Sequence, residues 1–187
     1  MFLVAGQFMS IQIYILGKLM QKNTYPYQLK KDLSEPIPLA QMTNLTESKL
    51  YYHFESLTKQ GLIEPVEVIK EENRPDKQVF TITEKGRQQL PEKIYDLFEK
   101  AKSITDMVTG LAFIHLVNRH KVISILEYKL DAIERKGIML NQHKSTVEMN
   151  FPNLELMKFM ETYHFERRKH ELDSLKQLIN HLKNNTF

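Results

Sequence analysis

The stretch "TNLTESKLYYHFESLTKQGLIE", Thr43 to Glu64, decides how the rest of the chain is understood. Leu50, Phe54 and Leu57 fall at i, i+4 and i+7, which is one face of an α-helix. At ~100° per residue, Phe54 and Leu57 lie within about forty degrees of Leu50. Ser48, Lys49, Tyr52 and Ser56 point away from that face, and Tyr51 and His53 flank it. Thr46 suits the N-cap and Gly61 the terminator. A face carrying hydroxyls, a cation and aromatic rings either meets a partner or pads the surface of a small domain.

The 187 residues fit one domain or two small ones, and 42% hydrophobic residues are enough for a packed core. With no cysteine there is no disulfide framework, thiolate metal site or thiol nucleophile, which fits a reducing interior. The opening "MFLVAGQFMSIQIYILGKLM" is apolar but lacks a basic flank, and Gln7, Ser10 and Gln12 interrupt it. No run reaches the ~20 apolar residues of a membrane span. The expectation is a cytoplasmic protein without a membrane partner. A net charge of +3 permits nucleic acid without pointing to it. Up to Leu90 there are 11 Lys and Arg against 10 Asp and Glu, so placement of cations matters more than their total.

Outward from the opening stretch, Ser10 is the expected N-cap of a first helix through "IQIYILGKLMQK", striped by Ile11, Ile15, Leu16 and Leu19. Pro26 suits the first turn of a second helix, with Leu29 and Leu33 inward and Lys30 and Lys31 outward. "PIPLAQMTN" is an extended connector. Beyond Gly61 the period changes: "LIEPVEVIK" and "QVFTIT" are rich in β-branched residues and flank the polar turn "EENRPD". A further helix starts at Thr83 in "TEKG". Three helices, a hairpin and a helix in that order describe a winged helix-turn-helix.

At this point the residues resemble a family. "ILGKLMQKNTYPYQLKKDL", "SKLYYHFESLTKQGLIE" and "RPDKQVFTITEKGRQQL" look like the DNA-binding domain of the PadR family of transcriptional regulators. Leu50, Tyr51, Leu57, Gly61, Leu62 and Ile63 match its recognition-helix motif, and Pro75, Lys77, Phe80, Thr83 and Gly86 its wing motif. The chain departs from the motif at Pro26, where the family often has glycine, and at Tyr52, where it often has proline. The resemblance implies a winged helix over residues 1–90 and a helical region over residues 91–187 used to dimerise.

The second half supports two readings of its own. Pro91 is expected to start a helix after a break, and Gly110 to precede a long segment, Leu111 to Lys136, ended by Gly137. "GIMLNQHKSTVEMNFPN" is a connector, and Asn153 caps a last helix to about Lys183. Ile123, Leu126, Leu130 and Ile133 form one seam, and Leu172, Leu175, Ile179 and Leu182 another. The seams either close on each other within one chain or also pair across a two-fold axis. The resemblance favours dimerisation through these eight residues, although Ser174 stands where many relatives carry tryptophan.

The expected DNA-binding set is Lys30, Lys31, Ser48, Lys49, Tyr51, Tyr52, His53, Ser56, Arg74 and Lys77. Lysine donates to guanine edges or phosphates, ring edges touch thymine methyls, and a basic wing tip reaches phosphate or the minor groove. The bland alternatives are tyrosines packed on the wing and a solvated hairpin tip. No HExxH pattern, phosphate loop or GxSxG elbow occurs, and the spacings of His115 with His120 and of His164 with His170 do not suit one metal on a helix. Catalysis, metal and cofactor are therefore not expected. The resemblance also implies release from DNA by a small molecule, with Tyr95, Phe98, Phe113, Phe159, Tyr163 and Phe165 as aromatic material, though such residues are usually core. The overall expectation is a mainly α protein with a β-hairpin wing, a winged helix-turn-helix followed by a coiled-coil-like dimerisation domain. It would act as a dimeric repressor on double-stranded operator or promoter DNA. The rival is a winged-helix module for binding protein.

Overall fold

The computed structural model describes residues 5–34, 46–70, 76–142 and 153–186. They fall into two compact units, one holding the chain up to Ala101 together with Asp106–Val117, the other holding Lys102–Thr105 and the chain from Asn118.

In the first unit, α1 (Ala5–Gln21) is the spine, packing against α4 (Glu84–Lys100), α3 (Glu47–Lys59) and the second strand of the hairpin. Ile11, Ile13, Ile15, Leu16 and Leu19 are buried, so apolar residues cover about 200° of this helix, at ~100° per residue. Ser10 does not cap it: the helix begins at Ala5, and the buried Ser10 hydroxyl hydrogen-bonds to Thr109. A serine inside a helix can bond the carbonyl four residues back or a distant group, and the sequence alone cannot show which it takes. Gln12, also buried, accepts from Lys93 Nζ at 3.2 Å, and burial pushes the Lys93 ammonium pKa down.

The helix α2 (Pro26–Ser34) starts at Pro26 and buries Leu29, as its sequence indicates; the Leu33 side chain lies outside the described residues, as does the "PIPLAQMTN" connector. The strands β1 (Ile63–Ile69) and β2 (Lys77–Ile82) pair antiparallel from Ile63 with Ile82 to Ile69 with Lys77, with a bulge between Pro65 and Glu67. Thr24 adds a bridge to Phe80, its N–H donating at 3.2 Å and its carbonyl accepting at 2.9 Å.

Pro91 does not break the chain. It lies inside α4, although a proline there costs a helix about 3 kcal/mol. Leu90, Ile94, Leu97 and Phe98 form one buried face through the site, and that burial offsets the missing hydrogen bond. The boundary expected after residue 90 thus falls within a continuous helix of the first unit. Gly110 is likewise inside α5 (Ile104–Ala112), and the interruption comes later, at the 3-10 turn Ile114–Leu116.

In the second unit α6 (Arg119–Gln142) runs through Gly137 instead of ending there. α7 (Leu154–Lys183) begins as expected at Asn153, whose side chain accepts from the Leu156 N–H at 3.0 Å. The pairs Glu127–Lys183 at 2.7 Å and Glu134–Lys176 at 2.8 Å run in opposite senses along the two helices, so α6 and α7 are antiparallel. Ile123, Leu126, Leu175, Ile179 and Leu182 are buried within this hairpin, and Leu130, Ile133 and Leu172 are half-buried. Most of the seam expected to dimerise is therefore closed inside one chain, because the antiparallel return of α7 covers it. Val122 and Leu178, absent from the expected seam, are buried with it. Among the described residues no helix is long and apolar enough to cross a membrane.

Candidate nucleic-acid interface

The candidate interface is built on α3. The Lys49 N–H donates to the Thr46 hydroxyl at 3.4 Å, capping the first turn. Leu50, Phe54 and Leu57 are fully buried, and the Phe54 ring meets that of Phe80 at 5.0 Å, fixing the helix against β2. At the other end the Leu62 N–H bonds to Leu57 O at 3.0 Å and Gly61 N–H to Thr58 O at 2.9 Å. This closure needs a left-handed residue, and Gly61 supplies it with φ +68°.

Thr83 then ties the helix end to α4. Its hydroxyl donates to Gly61 O at 2.7 Å and accepts from Gly86 N–H at 3.0 Å, while Lys85 Nζ donates to Gln60 O at 2.7 Å. The orientation of α3 is thereby fixed by its buried face and its C-terminal end. On its outer face Tyr51 and Tyr52 stand 50% and 58% exposed, Ser48 is exposed, and Lys49 and Ser56 are partly so. Ser56 Oγ lies 3.1 Å from Gln60 Nε2, and Lys59 pairs with Glu55 at 2.6 Å across the last turn. The face combines cation, hydroxyls and rings, as the sequence indicates.

His53 is the exception. It is only 2% exposed, its pKa pushed down to about 4 by burial first and by Lys49 second. Its wheel position lies beside Leu57, so the packed side of the helix takes it in as a neutral ring. His53 therefore does not stand on the outer face with the other members of the expected set.

Elsewhere in the set, Lys31 is exposed and Lys30 half-buried on α2. Lys77, at the start of β2, is half-buried with its Nζ over the Tyr25 ring at 5.5 Å. That contact, with the Thr24–Phe80 bridge, joins the base of the wing to the start of α2. Arg74 lies outside the described residues. Tyr27, given no role from the sequence, is 54% exposed on α2. The signal was present: Tyr27 lies two residues before the inward Leu29, hence on the opposite side of its helix.

The aromatic residues considered for an effector differ in environment. Tyr95, Phe98 and Phe113 are buried in the first unit, and Phe159, Tyr163 and Phe165 are exposed on α7. Among the described residues no group of three or more His, Cys, Asp or Glu side chains could hold a metal ion.

The family model for the transcriptional regulator PadR-like family matches residues 15–92, which span α1 through the wing into α4. No curated protein matches the chain. Among solved structures, Bacillus subtilis PadR in complex with operator DNA is 19% identical, with TM-score 0.38, over 91% of this chain and 98% of that one. Bacillus subtilis PadR in complex with p-coumaric acid is 20% identical, with TM-score 0.36, over 93% and 99%. A PadR-like transcriptional regulator from Bacillus cereus is 16% identical, with TM-score 0.39, over 94% and 99%. It is thus the winged-helix part of the chain, with the whole of α3, that matches the PadR-like family of transcriptional regulators.

Proposed function

We propose that the protein is a homodimeric, sequence-specific DNA-binding regulator that represses by occupying a promoter. The observation carrying this reading is the outer face of α3. Tyr51 and Tyr52 are left in solvent beside Ser48 and Lys49, on a helix anchored by its buried face and its C-terminal end within a PadR-like domain. Rings exposed on such a face gain from a groove that offers thymine methyls and base edges. Lys30, Lys31 and Lys77 supply cations for phosphate on the neighbouring elements. A dimer presents two such helices to half-sites about one helical turn apart. A small molecule relieves repression by favouring a dimer geometry that cannot span both half-sites. The effector part of this reading follows from the resemblance. Cytoplasmic location follows from the DNA target.

The near balance of 11 cations and 10 anions up to Leu90 favours a second reading, a winged helix that binds protein. Val66, Val68 and Ile69, exposed on β1, add apolar surface to it. Fluorescence anisotropy separates the two, using fragments from upstream of the coding region against random DNA at two salt concentrations. A regulator with six to ten phosphate contacts prefers one fragment and loses roughly three to five decades of affinity from about 50 to 200 mM salt. Absence of DNA retention at low salt would leave the protein-binding reading.

A further inference from the structure

Tyr25 stands on a backbone held from both sides. Before it, Thr24 exchanges two hydrogen bonds with Phe80 of β2, at 3.2 and 2.9 Å. After it, Pro26 disfavours helical backbone at Tyr25. The Tyr25 carbonyl accepts from the Leu29 N–H at 3.2 Å, at the start of α2. The side chain is tied as well. Its hydroxyl donates to Gln28 Oε1 at 3.4 Å, and Gln28 Nε2 donates to Asp32 Oδ1 at 2.7 Å, one turn further along α2. Lys77, three residues before Phe80, places its Nζ 5.5 Å from the centre of this half-buried ring. That is within the ~6 Å at which a ring face attracts an ammonium.

Resting on the DNA-binding reading proposed above, we infer that Tyr25 is a positioning residue for the DNA complex, its ring holding the Lys77 ammonium where a backbone phosphate meets it. Lysine carries its charge on a flexible four-carbon stem, and ordering such a stem on binding costs affinity. A ring that orders it in the free protein removes part of that cost. An ammonium has three N–H donors and a ring face engages one side of it, so ring and phosphate oxygen are compatible partners. The Thr24–Phe80 bridge extends the same fixing to the backbone of β2. The wing cation is thereby set relative to α2, on which Lys31 is exposed and Lys30 half-buried. Tyr25 acts through Lys77 and sets placement, since phosphate contacts carry no base information.

The test is a double-mutant cycle on the full chain, read by fluorescence anisotropy with the preferred fragment and with random DNA. Lys77→Gln weakens both complexes by a similar factor, roughly 10-fold near 0.1 M salt, and lowers the slope of log affinity against log salt by about one. Tyr25→Leu weakens them roughly 3–10-fold, the range set by ordering one long side chain. In the Lys77→Gln background the same Tyr25→Leu change has no effect. Tyr25→Phe keeps the ring face and restores affinity to within about 2-fold of the parent. A residue that only packs the wing on α2 would cost the same with or without Lys77. Equal losses in both backgrounds, a phenylalanine variant weakened beyond 2-fold, or a Lys77→Gln protein that binds like the parent overturns this inference alone. A parent that binds no DNA at low salt overturns the functional reading with it.

Discussion

The backbone carbonyl of Leu62 occupies the space that a β-carbon on Gly86 would need. A methyl there would also lie 2.7 Å from Ile82 Cγ1, so the residue before β1 and the last residue of β2 both abut the first turn of α4 at this glycine. The same Leu62 carbonyl accepts from the Thr83 N–H at 3.0 Å, which prevents it from moving aside.

Gly86→Ala should therefore destabilise the first unit by about 2–4 kcal/mol, since the nearest obstacle is backbone. Thermal or urea unfolding followed by circular dichroism checks this. A variant within about 0.5 kcal/mol of the parent would show that the wing can slide on α4.

Tyr52→Ala and Lys49→Ala should both weaken binding to the preferred DNA while leaving the unfolding midpoint unchanged, because both side chains leave the core. The lysine variant should also lower the slope of log affinity against log salt by about one if Lys49 meets a phosphate. Equal binding by parent and both variants would turn the proposed orientation of α3 away from the groove.

Stability should fall in mild acid through His53. Its folded pKa of about 4 is below the usual 6.5, so the unfolded chain takes up the proton first as pH falls. The stabilisation is fully present above about 6.5 and is lost as pH drops toward 4, by roughly 2–3 kcal/mol. Urea midpoints measured from pH 7 to pH 4 for the parent and His53→Leu isolate it. The variant should lack this part of the slope, and parallel pH profiles would mean that the ring is solvated.

The hairpin should depend on its seam and not on its ion pairs. Leu182 is fully buried, and Leu182→Ala should cost about 2–5 kcal/mol. Glu127 and Lys183 are each close to half exposed, so Glu127→Gln should cost at most about 1 kcal/mol. Denaturant unfolding of the two variants gives the comparison directly.

Local signals determined a large part of the molecule. Thr46, Thr83 and Asn153 cap helices because each pairs with an N–H three residues on, a relation wholly contained in the sequence. Gly61 ends α3, Pro26 opens α2, and the β-branched runs form the wing for equally local reasons. The outer face of α3 follows from helical geometry and the places of Leu50, Phe54 and Leu57.

The tertiary structure decided the rest, wherever a residue's role depends on distant groups. Pro91 and Gly110 look like breaks, but they lie within helices whose buried faces outweigh their local preference. Ser10 looks like a cap until Thr109 arrives from another helix to bond it. His53 looks like a surface ring until α3 packs and removes it from water. A heptad seam states that a helix needs a partner without stating which, and the antiparallel return of α7 supplied that partner from the same chain. Spacing records which residues share a face; only packing decides what that face meets.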